Sequence, residues 1–95
     1  MFARITKFKM KSDHVAQARA LINDLKQDIL ALPGLVRFIN VMNEDGSGYI
    51  VSLVQSREIS DGNADKVKAI WMKFADHLEA MPVPEGFDVE SDWST

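Results

Sequence analysis

The sequence predicts an α+β domain whose elements run β-α-β-β-α-β. Three observations carry this prediction. Two long stretches, Asp13 to Leu32 and Ala64 to Met81, space their apolar residues three and four apart, as a helix with one buried face requires. The stretches around them are rich in β-branched and aromatic residues. Breakers stand where the elements should end: Pro33-Gly34, "EDGSG" from Glu44 to Gly48, and "PVPEG" from Pro82 to Gly86. This order is the ferredoxin-like arrangement, a four-stranded antiparallel sheet with two helices on one face. Residues 1–95 suffice for one such domain and leave no room for a second.

The first strand, "MFARITKFKM", sets Phe2, Arg4, Thr6, Phe8 and Met10 on one face and Ala3, Ile5, Lys7 and Lys9 on the other. Ser12 or Asp13 can cap the helix that follows. In that helix Val15, Ala18, Ile22, Leu25, Ile29 and Leu32 form one stripe, while Arg19, Asn23, Lys26 and Gln27 fall largely away from it. Proline after Leu32 and the conformational freedom of Gly34 end it. "LVRFINVMNE" and "YIVSLVQS" are then paired strands. "REISDGNAD" reads as a polar connection offering Ser60, Asp61 and Asn63 as caps. Val67, Ile70, Trp71, Phe74, Leu78 and Met81 line the inner face of the second helix. "FDVESDW" alternates Phe87, Val89 and Trp93 with acidic residues, as a last strand with one wet face would.

Composition removes several function classes. The net charge is −3, which opposes nucleic-acid phosphate; the nearest basic feature is the run Lys7, Lys9, Lys11. There is no cysteine, hence no disulfide, thiolate nucleophile or cysteine-based zinc site. No apolar run approaches the roughly 20 residues of a membrane span, and charge interrupts the N-terminal segment as it would not in a signal peptide. A cytoplasmic protein is the default expectation. The first three strands carry bulky apolar residues on both faces, yet two helices can cover only one. The other face must meet water, a ligand or another chain; an exposed apolar face of this size usually marks association, most commonly as a two-fold dimer.

The segments "MFARITKFKMKSD", "ALPGLVRFINV", "MNEDGSGYIVSLV" and "AIWMKFADHLEAMP" resemble the antibiotic biosynthesis monooxygenase family over nearly the whole chain. Leu-Pro-Gly after the first helix and Phe-x-x-His on the second are the most telling parts. The resemblance implies a homodimer in which two sheets close a dimeric α+β barrel. It implies a pocket inside each subunit, between sheet and helices, for an aromatic or quinone-like molecule. It implies oxygenation without metal, flavin or other cofactor, or a non-enzymatic binding module of the same fold. The chain differs from the haem-degrading branch in carrying Ile5 on the first strand and Val67 early in the second helix.

Within that frame His77 and Asn40 are the candidate catalytic residues, and Trp71, Phe38, Met42, Phe74 and Tyr49 the candidate substrate contacts. On a continuous helix Trp71 and His77 would stand roughly 120° apart, flanking the apolar stripe. Trp71 is core or pocket wall. His77 is either a half-exposed boundary histidine or a rim residue that accepts a proton or ligates a metal. With one histidine per helix no metal motif is formed, and His14 reads as structural. Asn40 shares a face with Phe38 and Met42, where a polar group needs a partner: a ligand, a water or a neighbouring side chain. Arg4 and Arg37 can take an acidic ligand or pair with carboxylates. Tyr49 begins its strand with a hydroxyl free to reach solvent or substrate.

Overall fold

The computed structural model describes residues 1–95. The elements are β1 (Phe2–Lys9), α1 (Val15–Asp24), α2 (Lys26–Leu30), β2 (Leu35–Met42), β3 (Ser47–Val54), α3 (Arg57–Gly62), α4 (Ala64–Met72) and β4 (Glu85–Asp88). Short 3-10 turns occupy Ser12–His14 and Ala75–His77. The sheet order is β2-β3-β1-β4 with every pair antiparallel, as the ferredoxin-like reading requires. No helix is long and apolar enough to cross a membrane.

The strand faces are those the alternation predicts. Phe2, Thr6, Phe8 and Met10 are buried beneath the helices. Ala18, Leu25 and Ile29 from the first helical region and Phe74 and Leu78 from the second close over them, with Ile50 between. Gly48 lies opposite both Phe8 and Met42. A side chain there would strike the Phe8 ring and the Val41 carbonyl, so this position must stay bare for the ring to lie flat on β3.

Five expectations need correction. The first helix is bent: Leu25 leaves helical geometry at φ −91°, ψ 2°. Hydrogen bonds from Leu25 N to Leu21 O and from Ile29 N to Leu25 O carry the chain through, so the stripe stays on the sheet. The "polar connection" is helix α3, begun by Ser56, whose Oγ accepts the Ile59 N–H at 3.2 Å. Asn63 starts α4 without a side-chain cap; its Nδ2 instead donates to the Pro33 carbonyl at 2.8 Å. The second helix does not reach Met81. It ends at Met72, and Leu78 turns extended at φ −93°, ψ 143° to bridge Met10. Lys11 N donates to His77 O and Glu79 N to Lys9 O, so this segment exchanges helix bonds for ladder bonds to the end of β1. Finally, β4 stops at Asp88, because Asp88 faces Phe2 and β1 has almost no backbone left to pair. Trp93 lies beyond it, 90% exposed.

The β2–β3 turn carries its own acid-sensitive contact. The Asp45 carboxylate accepts from Ser47 Oγ at 2.6 Å and from Ser47 N at 2.9 Å. These bonds, the hydroxyl's first, hold its pKa below the ordinary 3.8, and Lys9 adds attraction. A carboxyl lowered on folding stabilises the fold above its unfolded value, and that contribution disappears as pH falls from about 4 through the folded value. Melting temperature should therefore fall less steeply between about pH 4 and 2 in Asp45→Asn than in the wild type. Leu78→Ala empties a site at the bridge and should cost about 2–5 kcal/mol in urea denaturation. Trp93→Ala should stay within about 0.5 kcal/mol.

Candidate functional site

The register arranges the inner sheet face into cross-strand rows. Leu35, Val54 and Phe2 form one row, Phe38, Ser52 and Arg4 the next, then Asn40, Ile50 and Thr6, and last Met42, Gly48 and Phe8. Polar groups thus occupy the two middle rows while both ends are apolar. Above them lies a cavity of about 640 Å³, roofed by Ala18 and Ile22 of α1, Val67, Ile70 and Trp71 of α4, and Phe74. That volume is within the range of small-molecule sites. Were it a sealed apolar void, the cavity term alone would cost about 15 kcal/mol, as much as a domain's whole stability. The space is therefore open to solvent and not a sealed void.

Trp71 packs against Phe8 and Phe74, with ring centres 5.8 and 6.0 Å away. This aromatic group forms one wall. Arg4 is clamped: its Nε and Nη2 donate to Ser60 Oγ at 3.1 and 3.0 Å, and Nη2 meets Asp61 Oδ1 at 2.9 Å. Ser60 and Asp61, which the segment "REISDGNAD" offers as caps, therefore tie α3 to β1 instead. Asp61 is exposed, so the pair contributes orientation more than stability.

Three floor groups are unpartnered. Thr6 is only 2% exposed and makes no side-chain hydrogen bond within the protein. No side-chain nitrogen or oxygen is sealed away without a partner, so the Thr6 hydroxyl must reach the cavity space. Ser52 and Asn40 also line the cavity without a protein partner, Asn40 from the exposed edge strand β2. None of these three is a base at neutral pH.

Of the residues expected from sequence, Asn40, Trp71, Phe38, Met42 and Phe74 are together on the cavity wall. His77 and Tyr49 are not among the lining residues. Tyr49 stands on the opposite sheet face beside Val41 and Lys7, 45% exposed. His77 turns to His14 instead, Nδ1 to Nδ1 at 3.0 Å, with ring centres 5.2 Å apart. One ring must donate and the other accept. A helical angle puts His77 at the rim only if α4 continues through residue 77, but α4 ends at Met72 and Ala75–His77 is a 3-10 turn. Arg37 lies exposed on the outer face.

Sequence reasoning passed over Thr6, Ser52, Arg19 and Lys68, all of which line the cavity. Thr6 and Ser52 carried a signal, each being a polar residue on a strand face otherwise filled for burial. Arg19 was expected to point away from the stripe and instead reaches the cavity's edge. No three His, Asp or Glu side chains converge as a metal-binding group.

No protein-family model matches the chain, and no curated protein matches it in sequence. Solved structures do match it in fold. Rv0793 from Mycobacterium tuberculosis superposes with a TM-score of 0.75 at 16% identity, covering 98% of both chains. A "putative antibiotic biosynthesis monooxygenase" from Caulobacter crescentus gives 0.77 at 18% identity, over 95% of this chain and 90% of that one. NE2512 from Nitrosomonas europaea, a protein of unknown function, gives 0.81 at 10% identity over 99% and 93%. At such identities the likeness establishes a shared fold. Trp71→Ala removes the largest wall ring and should enlarge the cavity, lowering stability by about 3–5 kcal/mol in urea denaturation.

Proposed function

We propose that the chain is a homodimeric, monooxygenase-like protein that takes a flat aromatic or quinone-like molecule into the space between sheet and helices. The observation that carries this is the open apolar cavity with unpartnered polar groups across its floor. The names borne by structures of this fold point the same way. Oxygenation without a cofactor fits such a site when the substrate supplies the electrons. A phenol whose ring carbon bears hydrogen loses two hydrogens and gains one oxygen, becoming a quinone. Dioxygen gives one atom to the ring and the other to water, which takes both hydrogens. The protein's part is to hold the ionised phenol and oxygen together, away from competing reactions.

Asn40 and Thr6 would hold the substrate hydroxyl, and Trp71, Phe38, Met42 and Phe74 its rings. An amide orients but does not deprotonate, so the hydroxyl proton passes to water at the opening. His77 has no direct substrate contact in this reading. That none of the unpartnered floor groups is a base favours a second reading, a binding module without turnover.

The outer face supports the dimer. Its rows are Arg37, Leu53, Ala3 and Phe87; Ile39, Val51, Ile5 and Glu85; and Val41, Tyr49 and Lys7. Ile39, Val41, Tyr49 and Phe87 are exposed on it with no helix above. A second copy presenting the same face would bury them.

1-Naphthol should be converted to 1,4-naphthoquinone faster with protein than without, and Asn40→Ala should slow it about tenfold or more. Binding without acceleration would leave the module reading. Native mass spectrometry should show a dimer for the wild type and a folded monomer for Val51→Asp; a wild-type monomer would overturn the assembly.

A further inference from the structure

The charge on the cavity wall is the reverse of the charge on the chain. The whole chain holds 14 acidic against 11 basic residues. The cavity is lined by Arg4, Arg19 and Lys68 but by a single carboxylate, Asp61. Arg4 already engages Asp61. That leaves Arg19, from α1, and Lys68, from α4, as cations without an ion-pair partner. Both are exposed and so stand at the rim. Ser52 and the buried residue Thr6, whose hydroxyl reaches the cavity, lie on the floor below, neutral and unpartnered.

A neutral ligand would use the floor groups and leave both rim cations idle. A fully charged one would waste the apolar walls. We infer that the cavity selects a flat apolar molecule bearing one carboxylate, which Arg19 and Lys68 hold at the rim while the phenolic oxygen at the other end reaches Thr6 and Ser52. This deepens the proposed function and rests on its placement of the ligand in this cavity. Two flexible cations in partial contact with solvent supply charge-assisted hydrogen bonds of moderate strength and draw the anion toward the opening. The preference should weaken with salt, because the rim is not shielded from it.

The test is isothermal titration of the full chain with a matched pair, naphthalene-2-carboxylate and naphthalene-2-carboxamide, at pH 7. The carboxylate should bind about tenfold tighter, and the gap should narrow when salt is raised from about 0.05 to 0.5 M. The double variant Arg19→Gln/Lys68→Gln should lower carboxylate affinity to that of the carboxamide while its circular dichroism stays that of the wild type. Lys66→Gln, which removes an exposed charge on α4 outside the cavity lining, should keep the gap. Equal binding of the two probes by the wild type would overturn the anionic preference and leave the cavity reading standing. Binding of neither would overturn the cavity reading and this inference with it. Loss of the gap in Lys66→Gln as well would refute the assignment to Arg19 and Lys68, because general charge would then explain it.

Discussion

The alternation along β1 is the constraint on which the rest of the structure depends. This strand pairs on both edges, with β3 over eight residues and with β4 over four. Its inner face, Phe2 to Met10 at every second position, supplies the base of the core. A slip of one residue would carry Lys7 and Lys9 under the helices and put Phe8 in water. The segment after α4 is anchored here as well, because Leu78, which follows the 3-10 turn, bridges Met10. One strand thereby sets the floor of the cavity, the anchor for Arg4 and the point where the second helical region turns back.

An open space above this floor follows from how the roof is built. Four short helices cover the sheet where two long ones would have crossed it, and each break redirects the chain. Ala18 and Ala64 line the cavity with small side chains. The floor reinforces this, because Thr6 and Ser52 give neighbouring apolar groups no reason to collapse onto them: closing the space would bury two hydroxyls without partners. The aromatic group of Phe8, Trp71 and Phe74 holds one wall apart.

The two sheet faces differ in character. The inner one mixes polar groups into an apolar grid and so suits a small ligand with both kinds of surface. The outer one is apolar at its centre, with Arg37, Lys7 and Glu85 toward its margins. Charged margins around an apolar centre suit a symmetric protein contact, in which the same patch meets itself. The chain as a whole is acidic while the cavity rim is cationic, a contrast that the proposed ligand would exploit.

Period-two and helical spacing are written within a few neighbouring residues, and the sequence alone determined what they encode: the element order, the antiparallel sheet, the strand faces, and the wall residues Phe38, Asn40, Met42, Trp71 and Phe74. Tertiary structure decided what depends on distant partners or on volume. Phe74, Leu78 and Met81 keep helical spacing, yet Leu78 pairs with Met10, because a ladder to β1 was available and local pattern cannot reveal it. His77 faces His14 across 63 residues of chain, so its surroundings were not encoded near it. Arg4 meets Ser60 and Asp61 only once α3 is laid against β1. Whether the space beneath Trp71 is filled or open rests on small differences among many packed side-chain volumes, and these exist only after the chain has folded.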